Sequence, residues 1–125
     1  MARPPASGSD PRSFLPLTPL AFHVLMALAD AGRHGYAIIQ EVEARTDGLI
    51  RLRSGTLYTL LQRLLVEGLI VESSDRPRSE EDDERRRYYE LTALGREVLA
   101  ADARRLETAV AEARRKRVIK GASRA

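Results

Sequence analysis

The segment RSGTLYTLLQRLLVEGLI, residues 53–70, constrains the fold of this chain more than any other part of the sequence. Its five leucines recur at i, i+3, i+4, i+7 and i+8, which is the spacing of one buried face of an α-helix. These leucines are Leu57, Leu60, Leu61, Leu64 and Leu65. We predict that Ser54 is the N-cap of this helix and that Gly68 is its C-terminal stop. Other elements of the chain must therefore cover the leucine face.

The opposite face of the same helix is polar and neutral to basic. At about 100° per residue, four polar side chains point away from the leucines, and Tyr58 lies on the flank. The four are Thr56, Thr59, Gln62 and Arg63. A helix face that is merely solvated more often carries Glu–Lys pairs. Glutamine can pair bidentately with adenine, and arginine with guanine, in the major groove of DNA. The pattern therefore indicates a surface that meets DNA.

Composition excludes several classes of function. The chain has 125 residues, which is enough for one domain with a modest core. It has no cysteine and only two histidines, His23 and His34, which excludes a disulfide framework and a thiolate metal site. There is no glycine-rich phosphate loop and no nucleophile beside a base, and the acidic run (residues 80–84) is a poor template for a metal site. We therefore expect a protein that is not an enzyme and that needs no cofactor or metal.

The two ends of the chain differ in composition from the rest. Residues 1–16 are rich in Pro, Ser and Gly and are predicted to form a flexible N-terminal arm, and residues 118–125 a flexible basic tail. The arm lacks the apolar stretch of roughly 7–15 residues that a secretory signal needs. No apolar run approaches the roughly 20 residues of a membrane span, so no membrane partner is expected. These features predict a cytoplasmic protein.

Two further helices are predicted before the leucine-rich one. The first has Thr18 as N-cap and Pro19 as its first residue, and Gly32 is expected to end it. The second covers HGYAIIQEVEARTDG, where His34 stabilises the start and Gly48 is the stop. Its inward side chains are predicted to be Tyr36, Ile39 and Val42. Three short helices separated by glycines are typical of a helix-turn-helix core.

A β-hairpin is predicted after the third helix. Residues 69–73 and 86–91 are rich in Val, Ile and Tyr, and a polar stretch that contains Pro77 separates them. Strand alternation places Tyr89 and Leu91 together on one face, which we predict to be the inward one.

Basic clusters at the hairpin and near the C-terminus suit contacts with DNA. Arg86 and Arg87 on the second strand can bind the phosphate backbone, which adds affinity and salt dependence but little sequence information. The acidic run at the hairpin tip either points away from DNA or pairs with its own arginines in a disordered loop. The cluster 114–117 is either a second DNA contact or a solvated helix end that is favourably placed on the helix dipole.

The last predicted helix is capped by Thr92 and runs to about Arg117. Five of its apolar residues are spaced 4, 3, 4 and 3 apart, which is a heptad seam. They are Leu99, Ala103, Leu106, Val110 and Ala113. A small core leaves such a seam uncovered, so its natural partner is the same helix of a second copy, related by a two-fold axis. The alternative is that the helix folds back over its own three-helix core.

This order of elements is that of a winged helix-turn-helix followed by a dimerisation element, and four motifs resemble the PadR family of transcriptional regulators. The motifs are LTPLAFHVLMAL, HGYAIIQEVE, GTLYTLLQRLLVEGLI and RRRYYELTALGREVL. The prediction is a mainly α fold with a small β-hairpin. A winged helix-turn-helix DNA-binding domain covers residues 17–91, and a long C-terminal dimerisation helix covers residues 92–117. The short C-terminus is similar to that of the smaller subgroup of the family.

The resemblance also implies a function. It implies a homodimer that binds a partly palindromic double-stranded DNA operator, usually as a repressor, and loses DNA affinity when a small molecule binds or when the dimer changes shape. The third helix would enter the major groove, and the hairpin wing would lie along the backbone or minor groove. The candidate DNA contacts are Arg53, Ser54, Thr56, Tyr58, Thr59, Gln62, Arg63, Arg86, Arg87 and Tyr36. The resemblance does not identify the effector. The last helix has no aromatic residue that could line an effector site, so Phe14 and Phe22 remain as the candidate lining residues.

Several alternatives stay open at this stage. Tyr58 could pack on the helix flank, Tyr36 could pack in the core, and Arg53 could be solvated only. The chain could also be a helical protein–protein interaction adaptor that uses the winged helix to dock a protein partner. The polar face of the third helix favours DNA, because it has no acidic residue before Glu67 and a protein-docking face more often displays large apolar anchors.

Overall fold

The structure is a computed structural model of the chain and describes residues 10–73 and 87–120. Within these ranges, a short 3-10 helix precedes four α-helices, and three short strands form one antiparallel sheet. In chain order the elements are the 3-10 helix Pro11–Phe14, α1 Pro19–Ala27, β1 Arg33–His34, α2 Gly35–Arg45, α3 Ser54–Val66, β2 Ile70–Ser73, β3 Tyr88–Leu91 and α4 Ala93–Arg115. None of these helices combines the length and the apolar character that crossing a membrane requires. The mainly helical fold with a small sheet confirms the prediction.

The leucine face of α3 lies in the core, as predicted. Leu57, Leu60, Leu61 and Leu64 are buried, and Leu65 is half-buried. The other helices and the sheet contribute apolar side chains to the same cluster. Among them are Val24, Leu25, Ile38, Val42, Leu69, Ile70, Tyr89, Val98 and Leu99. Burying one such leucine or valine side chain contributes about 1.5–3 kcal/mol, so this cluster holds the helices in place around α3.

Helix α1 begins as predicted but ends earlier. The Thr18 hydroxyl accepts a hydrogen bond from the backbone N–H of Ala21 at 3.1 Å, which confirms the N-cap. The helix ends at Ala27 and not at Gly32. The Ala27 carbonyl accepts a hydrogen bond from Nε of Arg33 at 2.7 Å. This contact satisfies one of the carbonyls that have no partner at a helix end, so the chain can leave the helix there.

Helix α2 is rotated relative to the prediction. The Nδ1 atom of His34 accepts a hydrogen bond from the first turn at 3.2 Å, which confirms its role at the start of the helix. Ile38 and Val42 face the core, whereas Ile39 is half-buried and Tyr36 is 60% exposed. The prediction that Tyr36 points inward is wrong. The side chains of Ile38 and Val42 lie one turn apart, and Tyr36 lies about 200° from Ile38 around the helix.

Helix α3 begins differently from the prediction at its first turn. Arg53, not Ser54, is the N-cap, and its side chain makes no capping hydrogen bond. The backbone explains this, because the N–H of Leu57 bonds to the Arg53 carbonyl at 2.9 Å and makes Ser54 the first helical residue. The helix ends at Val66, and Gly68 follows with φ +81°. Glycine adopts this left-handed conformation at low cost, which confirms Gly68 as the stop.

The sheet has one more strand than the predicted hairpin. Strands β2 and β3 are antiparallel, with Ile70 opposite Leu91 and Ser73 opposite Tyr88. Strand β1 pairs with the other edge of β3, which gives the order β1-β3-β2. A two-residue strand is too short to show alternation in a sequence, so this pairing was not predictable from periodicity. Tyr89 is buried and Leu91 is half-buried, in agreement with the predicted inward side.

The turn between α3 and β2 is fastened to the start of α4. The backbone N–H of Thr92 donates to the Leu69 carbonyl at 3.0 Å, and its hydroxyl donates to the Gly68 carbonyl at 2.6 Å. The same hydroxyl accepts a hydrogen bond from the N–H of Gly95 at 2.9 Å, which confirms Thr92 as the N-cap of α4. Gly95 is buried, and a Cβ built on it would lie 1.9 Å from the Leu69 carbonyl oxygen. Helix α4 therefore approaches this turn more closely than a residue with a side chain allows.

The N-terminal segment is more ordered than predicted. The 3-10 helix contacts α4, and Phe14 and Leu15 are half-buried against the core. The Asp10 carboxylate accepts a hydrogen bond from the N–H of Arg12 at 3.0 Å and caps this short helix. The prediction of a flexible arm is therefore wrong for residues 10–16, and residues 1–9 lie outside the described part of the chain.

Helix α4 has two halves that differ in burial. Its buried residues all lie in the first half, where the helix packs against α1, and they are Gly95, Val98, Leu99 and Asp102. Leu99 is 6% exposed in the core of its own chain, so the prediction that it lies in an open seam is wrong. The other seam residues are half-buried or exposed, and they are Ala103, Leu106, Val110 and Ala113. The uncovered part of the seam therefore begins at Ala103.

Candidate nucleic-acid interface

The polar side chains of α3 form one open ridge. Thr56, Thr59, Gln62 and Arg63 are all exposed on the side opposite the buried leucines. Tyr58, on the flank of the helix, is 46% exposed. The threonine and glutamine side chains of this ridge make no hydrogen bond to any residue that the structure describes. Their donors and acceptors are thus available to a ligand.

Two grooves flank this ridge. One, of about 430 Å³, separates α3 from the N-terminal end of α1, where Thr18 and Leu20 form its far wall. The other, of about 420 Å³, separates α3 from the sheet, where Glu72, Arg87 and Tyr89 form its far wall. A helix that stands clear between two grooves can enter the major groove of DNA, which is about 12 Å wide. Sequence analysis missed Thr18, Leu20 and Glu72, because only tertiary packing brings them beside α3.

The N-terminal turn of α3 gives the ridge a positive end. Arg53 and Ser54 are exposed. The first helical hydrogen bond is donated by the N–H of Leu57, so the amides of Ser54, Gly55 and Thr56 have no partner within the helix. Unpaired amides and the helix dipole favour an anion such as a phosphate at this position.

Two arginines of this surface are paired with carboxylates. Arg87 directly precedes β3, and its Nη1 lies 3.0 Å from Oε2 of Glu72 in β2. On α3, Nε of Arg63 lies 3.8 Å from Oε2 of Glu67, one turn along the helix. These side chains are largely solvent-accessible, so each pair contributes little to stability and can exchange its carboxylate for a phosphate. Arg86 and the acidic run lie outside the described residues, and the predictions for them stay untested.

The tyrosines of the HGY and GTLY motifs lie at the surface. Tyr36 is 60% exposed and Tyr58 is 46% exposed, so the alternative that Tyr36 packs in the core is wrong. Tyr89 is different, because burial, together with the nearby Glu72 carboxylate, raises its pKa and keeps the phenol neutral. The structure thus brings Tyr36 and Tyr58 to the surface and places Tyr89 in the core.

A comparison of the sequence with known protein families decides the assignment. The profile described as the transcriptional regulator PadR-like family matches residues 24–101, which cover α2, α3 and the sheet with parts of α1 and α4. The chain belongs to the PadR-like family of transcriptional regulators. This confirms the resemblance carried by the four motifs.

Relatives of this PadR-like chain agree with the assignment. The chain is 38% identical to Transcriptional regulator Rv3488 of Mycobacterium tuberculosis over 88 residues, which is 68% of this chain and 73% of that protein. The complex structure of hsRosR-S4, the RosR protein of H. salinarum, superposes with a TM-score of 0.64 and 30% identity, covering 87% of this chain and 90% of that one. Both comparisons extend over two thirds or more of this chain.

A third comparison concerns the fold of PadR itself. The crystal structure of Bacillus subtilis PadR in complex with operator DNA superposes on this PadR-like chain with a TM-score of 0.57 and 21% identity. The superposition covers 69% of this chain and 47% of that one. At this identity the likeness shows a shared fold, and it confirms the predicted winged helix-turn-helix architecture.

Proposed function

We propose that this PadR-like regulator is a homodimeric repressor that binds a double-stranded DNA operator through α3 and releases it on an effector signal. The observation that carries the proposal is the bare polar ridge of α3, which stands between two grooves with its side chains unpaired or weakly paired. The operator complex of Bacillus subtilis PadR, a protein of the same fold, supports DNA as the partner.

Base contacts are assigned to the ridge itself. Gln62 and Arg63 are the candidates for bidentate hydrogen bonds to adenine and guanine, respectively. Thr56 and Thr59 suit a thymine methyl group or a phosphate. Among the described residues, Arg63 is paired with Glu67 alone, at 3.8 Å, so a guanine edge can replace that carboxylate.

Phosphate contacts are assigned to the residues around the ridge. Arg53, Ser54 and the unpaired amides of the first turn of α3 lie at one end of it. Tyr36 and Tyr58 have exposed side chains, and Arg87 is exposed directly before β3. Contacts of this kind fix the register of the protein on DNA and make affinity depend on salt.

A second copy of the chain is proposed to cover the second half of α4. The seam at Ala103, Leu106, Val110 and Ala113 is half-buried or exposed in one chain and keeps heptad spacing. A two-fold axis along this seam makes the interface self-complementary. The two α3 ridges should then lie about 34–36 Å apart, one turn of DNA, if both read the same side of the duplex.

An effector site is proposed at the same helix. A cavity of about 750 Å³ lies between the N-terminal 3-10 helix and α4, where Leu15 and three arginines, Arg96, Arg104 and Arg105, contribute to its lining. This volume is in the range of small-molecule sites. A molecule bound there would contact α4, the proposed dimerisation helix. Its binding could therefore change the distance between the α3 ridges of the two protomers.

Selection of bound fragments from genomic DNA, followed by gel shifts at rising salt, tests the DNA-binding proposal. We expect enrichment of a partly palindromic site and a log–log decrease of affinity with salt, because phosphate contacts release counterions. No enrichment and no affinity for any duplex would overturn the proposal and leave the protein–protein adaptor in its place.

Gln62→Ala and Arg63→Ala should each weaken binding to the selected site by about 1–3 kcal/mol and relax base preference, because each removes a base contact. Val66→Ala is the control, since Val66 is 85% exposed at the end of the same helix and has no assigned contact. Fluorescence anisotropy with the selected and a scrambled duplex measures both quantities. Unchanged discrimination between the two duplexes would refute this assignment.

Arg87→Ala should weaken binding to the selected and scrambled duplexes alike and reduce the salt slope by about 1, because Arg87 is assigned to a phosphate. Glu72→Ala is the matched variant, since it frees Arg87 from its 3.0 Å pair and should strengthen binding to both duplexes. Titrations at several salt concentrations give the slopes. A loss confined to the selected duplex would contradict the phosphate assignment.

A further inference from the structure

The motifs HGY and GTLY meet at one close contact in the structure. Gly35 is the first residue of α2 and is buried, and Tyr58 belongs to α3. A Cβ built on Gly35 would lie 2.2 Å from Oη and 2.8 Å from Cζ of Tyr58. Carbon atoms of real side chains do not approach other atoms so closely, so the end of the phenol occupies the space that a side chain at position 35 would need.

The backbone does not explain why a glycine stands at this position. Among the residues that the structure describes, the glycines with positive φ are Gly48 and Gly68, and Gly35 has an ordinary helical start that an alanine can adopt. The three atoms nearest to a Cβ at Gly35 all belong to the Tyr58 ring. What distinguishes glycine here is therefore the room that it leaves for Tyr58.

The Tyr58 side chain lies at the surface, beside the polar ridge of α3. The side chain is 46% exposed, and its hydroxyl makes no hydrogen bond to any described residue. The ring also lines the groove between α3 and the sheet, together with Gln62 and Arg87. Tyr58 thus lies between the polar ridge of α3 and Arg87, and its phenol packs against α2.

We propose that Gly35 is a positioning residue for DNA binding. By leaving its own side-chain space empty, Gly35 lets Tyr58 hold its hydroxyl at the junction of α2 and α3, where it donates a hydrogen bond to a DNA phosphate. The inference rests on the proposed DNA-binding function. The three atoms nearest to a methyl group at position 35 belong to the far end of the rotatable Tyr58 side chain, so we expect the methyl group to turn the phenol away and to leave the helices in place.

A double-mutant cycle on DNA binding tests this proposal. Gly35→Ala, Tyr58→Ala and the double variant are titrated with a genomic fragment selected by the wild-type protein and with a scrambled duplex of equal length and composition. We expect each single variant to bind both duplexes about tenfold more weakly, because a hydrogen bond to a charged partner is lost. The double variant should bind no more weakly than Tyr58→Ala, because Gly35 acts through Tyr58.

Thermal stability and the position of the Tyr58 ring are measured on the same variants as DNA affinity. Gly55→Ala adds the same methyl group at a helix start where nothing lies within 4 Å, so it reports the effect of the methyl group alone on thermal unfolding. Gly35→Ala should not lower the midpoint temperature of unfolding by more than Gly55→Ala lowers it. In NMR spectra, the Tyr58 ring protons of the wild-type protein should show contacts to the Gly35 α-protons, and the contact between position 35 and the ring end should be lost in Gly35→Ala.

Distinct results separate a failure of this inference from a failure of the proposed function. Gly35→Ala with wild-type affinity, or losses that multiply to about a hundredfold in the double variant, would overturn the positioning role. A changed ratio of affinities between the two duplexes would also overturn it, because that result means a displaced α3. Wild-type protein that binds neither duplex would overturn the proposed function and this inference with it.

Discussion

Gly95→Ala is expected to destabilise the protein by about 3 kcal/mol or more, because the added methyl group overpacks a close contact between backbones. A Cβ at this position would lie 1.9 Å from the Leu69 carbonyl oxygen and 2.9 Å from its carbonyl carbon. These are backbone atoms that cannot rotate away, so α4 itself must move. That movement breaks the hydrogen bonds by which Thr92 ties the helix to Gly68 and Leu69. Urea unfolding followed by circular dichroism measures the loss.

The matched control for this prediction is Gly55→Ala, where the added methyl group meets nothing within 4 Å. It should leave the free energy of unfolding unchanged or raise it by up to about 1 kcal/mol, because alanine favours a helix over glycine. Equal stabilities of the two variants would show that α4 does not approach the turn at Leu69 as closely as the structure describes. Gly68 and Leu69 lie just after α3, so Gly95→Ala should also weaken DNA binding, because it displaces α3.

Leu106→Glu is expected to raise the dissociation constant of the proposed dimer by at least about a hundredfold, because it places an unpaired charge in an apolar seam. Leu106 is half-buried within one chain and lies beyond the last buried residue of α4, so its remaining surface is available to a partner. The first half of the helix and the core do not include this position, so the monomer should stay folded. Sedimentation velocity over a range of concentrations measures the dissociation constant.

Thr108→Glu is the control for this variant, since it places the same charge about 200° around α4 from Leu106, away from the seam. It should leave the sedimentation coefficient of the wild-type protein unchanged. A Leu106→Glu protein that still sediments as a dimer would show that the interface lies elsewhere. A variant that is monomeric and also binds the selected DNA fragment with wild-type affinity would contradict the proposed link between the dimer and operator recognition.

Gly35, Gly68 and Gly95 differ in whether their structural roles can be predicted from the sequence. Gly68 follows the leucine periodicity, and its role as a stop could be inferred because the end of a periodic pattern is visible in the sequence. The roles of Gly35 and Gly95 cannot be predicted in this way, because each glycine leaves space for a group that is distant in the sequence. Those neighbours are Tyr58 and the carbonyl of Leu69, and only the packing of α2 and α4 brings them close.

Two differences between the structure and the sequence-based predictions have a common physical cause. Tyr36 and Leu99 each lie on an apolar stripe of their own helix, which predicts Tyr36 to point inward and Leu99 to lie in an open seam. An apolar stripe does not determine which neighbouring element covers it. In the structure, Ile38 of α2 and Leu99 of α4 are buried in the core. The strand Arg33–His34 was missed for a related reason, since its two residues form a strand only because β3 lies beside them.

The sequence by itself determined the elements that depend on neighbours along the chain: the leucine face of α3, the caps at Thr18, His34 and Thr92, and the stop at Gly68. These features follow from helical periodicity and from hydrogen bonds within one turn, which are local. The tertiary structure alone decided which side chains remain open, namely the ridge between its two grooves, the phenol of Tyr58 against Gly35, and the uncovered second half of α4. Exposure is a property of the whole packed chain, because a face is bare only when no other segment covers it.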